Sequence, residues 1–303
     1  MYIDLHVHST KSDGRYSVKQ VIDMALANNV SVLAFAEHYN ISSYKIAKEI
    51  AQDRLELIPA IELGTDITKI GYPRKKPCHI LVYYPHIKEL YKILNGYEDA
   101  REKYVRLMIN HLKSIGIKIK NEDVKKYARN PKSIGRYDLA KVLVKMGIAK
   151  DIEDAYDSYL SEINGETIVR EKPSPIELLN EISMMGGVPV LAHPSSMRIV
   201  HNHGIITNEQ KDEFYGVLQQ FKQAGLRGIE VSTSFTSPET TAFYKEVAQD
   251  LKLIQTAGSD FHGRKNDVIE IGKGVNNSLC VTDYSIIENL KEEADKSYKK
   301  IYI

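Results

Sequence analysis

Tyr2-Ile3-Asp4-Leu5-His6-Val7-His8-Ser9-Thr10-Lys11-Ser12-Asp13-Gly14 is the stretch from which the fold is read. Its first half alternates apolar and polar residues, the period of a β-strand. Ile3, Leu5 and Val7 are expected on one face and Asp4, His6 and His8 on the other. Two neighbouring imidazoles are costly to bury unless something uses their lone pairs, and a divalent cation is the usual taker. Asp13, in a Ser-Asp-Gly turn, lies near enough in sequence to add an oxygen. His-x-His on a strand is a weak signal by itself, so the rest of the chain has to decide between surface histidines and ligands.

Working outward, the chain alternates short apolar runs with amphipathic helical patterns. Ser17 and Gln20 form a capping-box pattern ahead of Val18, Val21, Ile22, Ala25 and Leu26. Val30 to Ala36 reads as a strand that runs into Glu37-His38. A short helix follows at 44–52, and Leu55 to Leu63 reads as one strand carrying Glu62 at its end. No crossover helix separates Glu62 from the next strand, His79 to Tyr84. A hairpin is therefore expected, with His79 starting the returning strand at the same end as Glu62.

The βα rhythm resumes after residue 172. Ser174-Pro175-Ile176-Glu177 is a helix start, Gly186-Gly187 a stop, and Val188 to Ala192 a strand leading into His193-Pro194. Thr207 to Ala224 is a helix and Leu226 to Ser232 a strand. Ser237-Pro238-Glu239 opens a helix, and Leu253 to Gly258 is a strand that ends in Ser259-Asp260-Phe261-His262-Gly263. Ser278 to Val281 reads as strand-like, followed by a helix from Tyr284 to Lys296. Residues 97–172 differ: helical patterns at 97–114, 122–128, 134–146 and 152–160, with almost no strand signal. The expected division is an α/β domain of residues 1–96 and 173–303 with a helical insert subdomain of residues 97–172.

The insert carries fourteen Lys and Arg against four Asp and Glu over residues 101–150. Most of these are expected to be solvated helix surface. Arg136, following Gly135 at a helix start, is the exception, well placed to grip an anion. The whole chain has a net charge of +1, so no global field draws it to nucleic acid or anionic membrane. Cys78 and Cys280 form no motif, no apolar run approaches the ~18 residues of a membrane span, and no apolar leader precedes the first strand. These features are those expected of a cytoplasmic protein.

In a parallel α/β sheet, ligands bind at the carboxyl ends of the strands. His6, His8, His38, Glu62, His193, Asp260 and His262 all fall at such ends, and His79 joins through the hairpin. Six of the ten histidines thus belong to one set. With Asp13, nine imidazole and carboxylate groups converge, too many for one ion.

His6-Val7-His8 with Ser12-Asp13-Gly14, Glu37-His38, Glu62, His79, Ala192-His193-Pro194 and Gly258-Ser259-Asp260-Phe261-His262-Gly263, in that order, resemble the PHP (polymerase and histidinol phosphatase) superfamily of metal-dependent phosphoesterases. The resemblance implies a distorted (β/α)7 barrel with a trinuclear site. Carried over residue by residue, it gives one ion to His6, His8, Glu62 and Asp260, a second to Glu62, His79 and His193, and a third to Asp13, His38 and His262. The insert, Ile134-Gly135-Arg136-Tyr137-Asp138-Leu139-Ala140 with Asp154-Ala155-Tyr156, is similar to that of the bacterial branch acting on nucleotides and RNA 5′ ends. Two departures bear on the substrate and leave the ligands intact: Ala36-Glu37-His38 stands where the family has Thr-Asp-His, and Tyr137-Asp138 where the branch has Pro-His.

The expected activity is hydrolysis of phosphate esters of nucleotides (a nucleoside monophosphate or 3′,5′-bisphosphate) or of RNA 5′ ends by a metal-bridging hydroxide, with two or three Mn, Fe or Zn ions. Glu62, Asp260 and His262 are the catalytic candidates, and Arg136, Arg15 and Arg198 the candidates for holding phosphate. The alternatives are a phosphatase for another small monoester such as histidinol phosphate, and a module of this fold without catalysis, against which nine filled ligand positions argue. The expected partner is a small phosphorylated substrate or short RNA, with no membrane and no obligate protein.

Overall fold

The computed structural model describes residues 1–72, 77–127, 136–160, 172–200, 205–264 and 268–302. The chain forms two compact units, Met1–Leu90 with Pro173–Ile303, and Tyr91–Lys172. In the first, strands β1 (Tyr2–Val7), β2 (Val30–Phe35) and β3 (Glu56–Leu57) form one parallel sheet, flanked by helices α1 (Val18–Ala27) and α2 (Ser42–Ala51). A second sheet holds β4 (Ala60–Asp66), β5 (Pro77–Tyr83), β6 (Val188–Leu191), β7 (Gly228–Thr233) and β8 (Ile254–Gly258) in sequence order. Within it β5 runs antiparallel to both neighbours, and the β4–β5 hairpin is the one expected from the missing crossover.

The two sheets are distinct ladders joined near the site by short bridges. Val7 pairs with Phe261, beyond the end of β8, and His38, beyond β2, pairs with Glu62 of β4. The single strand expected over residues 55–63 is instead two. Pro59 has no N–H to give to a ladder, so β3 ends at Leu57 and the chain passes to the second sheet. Glu62 consequently sits third in β4, and His79 third in β5.

The expected alternation of β1 also breaks. Ile3 and Leu5 pack with Val32, Ala34 and Leu81 in one buried cluster, whereas Val7 packs with Val21, Leu33 and Phe35 in another. The β1–β2 register shifts between Asp4 and Val7. An irregularity of this kind re-aims the side chains around it, and the interval it occupies contains His6.

Helices α7 (Pro175–Met185), α8 (Asn208–Gln223) and α9 (Pro238–Asp250) connect the later strands. The capping boxes read at Ser17/Gln20 and Ser174/Glu177 are both formed. The terminal helix α10 (Ser285–Tyr302) puts Ile287, Leu290 and Ala294 into the cluster that holds Ile3 and Leu5. Ser278 to Val281 is not a strand: Asn276, Asn277 and Cys280 take left-handed φ values of 51°, 62° and 34°, which no strand accepts.

The second unit contains most of α3 (Ile87–Ser114), then α4 (Asn121–Tyr127), α5 (Arg136–Lys145) and α6 (Ile152–Asp154), which runs into a π-helical stretch, Ala155–Leu160. Val105, Met108, Leu112, Val124, Leu139 and Leu143 form its core. Helix α3 begins ahead of the expected Tyr97 because Leu90 and Leu94 already continue the apolar spacing. Among the described residues, no helix is long and apolar enough to cross a membrane.

Candidate metal centre

Backbone geometry around β1 and β8 brings the first ligands together. Asp260 N–H donates to His6 O at 2.8 Å, and His8 N–H donates to Phe261 O at 2.9 Å. This approach requires glycine at 258, where an added Cβ would fall 2.2 Å from the Cβ of His6. Arg15 N–H donates to His262 O at 2.8 Å, which fastens the turn bearing Asp13 beside the turn bearing His262. On the other side Glu62 N–H donates to Glu37 O, and Tyr39 N–H to Glu62 O, both at 3.1 Å, so His38 and Glu62 are held next to one another. Asp260 and His193 adopt left-handed φ values of 54° and 27°, strained conformations of the kind found where a side chain must be aimed.

All nine side chains meet. Glu62 Oε1 lies 2.8 Å from His79 Nδ1 and 2.9 Å from His193 Nε2, while its Oε2 lies 3.0, 3.4 and 3.6 Å from nitrogens of His38, His8 and His6. Asp260 Oδ1 stands 3.3 Å from His8 Nε2 and 3.5 Å from His6 Nε2. Asp13 reaches His262 at 3.3 Å, His8 at 3.6 Å and His38 at 3.7 Å. Four overlapping groups each gather their ligand atoms within 4.8 Å: His8, Asp13, His38 and His262; His6, Glu62 and His193; His6, His8 and Asp260; and His38, Glu62 and His79. In these groups His6, His8, His38 and Glu62 are shared, whereas the family-derived assignment shared Glu62 alone.

Hydrogen bonds on the far side of three rings fix where their lone pairs point. Glu230, acceptor-only when ionised, takes the Nδ1–H of His6 at 3.1 Å, leaving the Nε2 lone pair toward Glu62 and Asp260, with His8 Nε2 also 3.1 Å away. The backbone oxygen of Asp260 takes the Nδ1–H of His262 at 2.8 Å, leaving Nε2 toward Asp13. Ser196 gives its one hydroxyl proton to Pro77 O at 2.9 Å, so at 3.0 Å it accepts from His193 Nδ1 and leaves Nε2 facing Glu62. In each case a nitrogen lone pair meets a carboxylate oxygen. That is repulsive for a neutral ring, and it becomes attractive only with a cation between the atoms or a proton on the ring. Glu62 Oε2, fully buried, makes no hydrogen bond. The donor set and this unpartnered oxygen fit divalent cations bound between the rings and the carboxylates.

Without a cation the charges compensate one another. Burial pushes the Glu62 carboxyl up, but the surrounding imidazoliums of His38, His79 and His6 hold it well below the usual carboxylate range. Asp13 behaves likewise, its burial outweighed by His38 and His262. His38 is lowered by burial and raised more strongly by Glu62 and Asp13, to about 9. His8 moves the other way, to about 4, because burial and the neighbouring His262 both disfavour its cation.

A family model for the PHP domain matches residues 4–171. The chain belongs to the PHP domain family. This PHP domain protein is 28% identical over 268 residues to a 3′,5′-nucleoside bisphosphate phosphatase of Chromobacterium violaceum, covering 86% of this chain and 87% of that one. It is 24% identical over 267 residues to a 5′-3′ exoribonuclease of Haemophilus influenzae, covering 86% and 89%. Its fold resembles that of a proposed metal-dependent phosphoesterase from Bifidobacterium adolescentis, with a TM-score of 0.73 and 24% identity over 96% of each chain.

Within the PHP domain, the cleft beside the nine ligands has a volume of about 340 Å³. Arg264 lines it, and neither Arg15 nor Arg198 does. All three follow ligand turns and are exposed, so what sets Arg264, two residues beyond His262, apart is its place on the cleft wall. Arg136 begins α5, and its side chain lies outside the described residues, as do His201 and His203.

Two carboxylates were missed by the sequence reading. Glu230, fully buried in β7, accepts from His6 Nδ1 and at 2.7 Å from His193 N–H. Asp4, also fully buried, accepts from Ser259 N–H at 2.8 Å and Gly272 N–H at 2.7 Å, tying β1 to the chain beyond β8. Burial pushes its carboxyl up to about 6 against those hydrogen bonds. The available signal was a lone acid inside an apolar run, Ile229-Glu230-Val231 and Ile3-Asp4-Leu5.

Proposed function

We propose that this PHP domain is a metal-dependent phosphoesterase acting on nucleotides or RNA 5′ ends, in a distorted (β/α)7 barrel carrying residues 97–172 as an insert. Closure of the seven longer strands is supported by the Val7–Phe261 and His38–Glu62 bridges, which link the ladders on both sides of the site. The observation that carries the activity is the orientation of His6, His193 and His262, whose bare nitrogens face Glu62, Asp260 and Asp13. An array of six imidazoles and three carboxylates, with His6, His8, Glu62 and His262 buried and the rest partly so, is built to hold cations rather than to pack. The family and the names of the relatives support phosphate ester hydrolysis as its use.

Bound divalent ions, Mn, Fe or Zn, would supply positive charge to the phosphoryl oxygens and bring the pKa of a water toward neutrality. The protein's part is positional. Glu62, reaching five imidazoles through its two oxygens, is the carboxylate placed to be shared between ions. Asp260 and His262 flank the cleft and fix its second wall, and Glu230 holds His6 and the His193 backbone in register. Arg264 offers a planar, permanently charged donor to the substrate phosphate, with Arg136, Arg15 and Arg198 as further candidates.

Elemental analysis of the purified protein, followed by turnover on nucleoside 5′-monophosphates, 3′,5′-bisphosphates, 5′-phosphorylated RNA and small non-nucleotide monoesters such as histidinol phosphate, tests the proposal. Bound metal with release of phosphate or nucleotide from at least one class is expected. Bound metal with turnover only on small non-nucleotide monoesters would overturn the substrate, and no turnover of any ester would overturn the activity.

A further inference from the structure

Phe235 is out of place for its residue type. Of the six phenylalanines, Phe35, Phe214, Phe221, Phe243 and Phe261 are buried, while Phe235 is 58% exposed. It lies between β7 and α9, beyond the carboxyl end of a strand, and lines the same cleft as Glu62, His193 and Asp260. The turn that presents it is tied down on both sides. Ser234 Oγ donates to Ser259 O at 2.5 Å, and Ser278 Oγ donates to Ser234 O at 3.1 Å. Thr233 and Thr236 share a hydroxyl hydrogen bond of 2.6 Å across the turn, and Ser237 caps α9 through Thr240 N–H at 3.2 Å.

An apolar ring held on a fixed backbone and left in water gains nothing for the fold. In a cleft lined mainly by imidazoles, carboxylates and hydroxyls, with Pro77 and Arg264 beside them, it offers the one flat aromatic face that is not an imidazole among the described lining residues. A planar aromatic group stacks on such a face whatever its substituents. Arg264 is the only Arg or Lys among the described lining residues, and a guanidinium grips phosphate through paired N–H groups. The cleft therefore combines a ring platform, a phosphate clamp and the ligand array.

Resting on the phosphoesterase reading, we propose that Phe235 stacks against a base-like ring of the substrate while Arg264 holds its phosphate, so that the cleft selects phosphate esters of nucleosides over those of bare sugars. The test compares adenosine 5′-monophosphate with ribose 5-phosphate, which share the ester and differ by the ring. In the metal-loaded protein the ratio of their kcat/KM values falls about tenfold on Phe235→Ala, mainly through KM for the nucleotide. Phe235→Trp restores the ratio. Arg264→Ala lowers kcat/KM for both esters and leaves the ratio as it was. A ratio untouched by Phe235→Ala overturns the inference while leaving the phosphoesterase reading intact. If neither ester is turned over, the phosphoesterase reading stands or falls on the 3′,5′-bisphosphates and 5′-phosphorylated RNA, and calorimetric binding decides the inference. Tenfold weaker binding of adenosine 5′-monophosphate relative to ribose 5-phosphate in Phe235→Ala supports it, and equal weakening overturns it.

Discussion

Glu37 and Glu62 are both fully buried glutamates whose backbones touch, yet their surroundings are opposites. The oxygens of Glu37 are filled by neutral donors: the hydroxyls of Ser9 and Ser12, the Ser43 hydroxyl at 2.5 Å and the Ser9 N–H at 3.1 Å. Glu62 faces imidazole nitrogens, and one of its oxygens has no hydrogen bond. A buried carboxylate satisfied by hydroxyls and amides is complete as it stands and ties the turn bearing Asp13 to the end of β2. One left unsatisfied among lone pairs is completed by a cation or by protons on the rings. Burial is the same in the two pockets, so the chemistry of the neighbours decides which acid is structural and which is a candidate metal ligand.

Glu62→Ala breaks the contrast most sharply. It removes the carboxylate common to two of the four ligand groups, and loss of the associated charge stabilisation, several kcal/mol, lowers turnover by ~10³-fold or more. Steady-state assays together with metal content check this. Glu230→Gln comes next. The amide keeps one acceptor where two N–H groups need one each, so His6 or the His193 backbone loses its partner. Metal affinity measured by competition with a chelator should weaken ~10–100-fold.

Glu37→Gln is expected to keep its metal. Its hydroxyl donors can rotate and accept from the new amide, and the cost is confined to stability, about 1–3 kcal/mol in denaturant titrations. The smallest effect is one of pH on chelator-treated protein. His38 is raised to about 9, and His6, His193 and His262 are raised as well. A raised imidazole contributes stability that is fully present below its unfolded pKa of about 6.5 and lost as pH rises through the folded value. The melting temperature of the stripped protein should therefore fall between about pH 6.5 and 9. Metal-loaded protein, whose rings are already deprotonated by their ligands, should show little of that fall.

Much of the fold was legible because its signals are local. Ser17 with Gln20, and Ser174 with Glu177, specify helix starts within four residues, and the missing crossover after Glu62 specifies a hairpin. The histidines could be picked out because each interrupts or ends an apolar run. What was illegible depends on distant partners. The register shift in β1 accompanies the close approach of Gly258 to His6, which no local pattern encodes. The ring orientation of His6 depends on Glu230, 224 residues away. Arg15, Arg198 and Arg264 all follow ligand turns, and sequence adjacency does not reveal which of them lines the cleft. Ser278 to Val281 has strand-like composition, but the left-handed Asn276 and Asn277 ahead of it turn the chain before a ladder can form.

The most direct test is elemental analysis of the purified protein beside its Glu62→Ala and Glu37→Gln variants, each confirmed folded by circular dichroism. Two or three equivalents of Mn, Fe or Zn in the wild type and in Glu37→Gln, with a clear loss in Glu62→Ala, is the predicted result. A folded wild type that retains no divalent metal after growth and purification in its presence, or a Glu62→Ala variant that retains the full complement, would contradict a metal centre organised by Glu62.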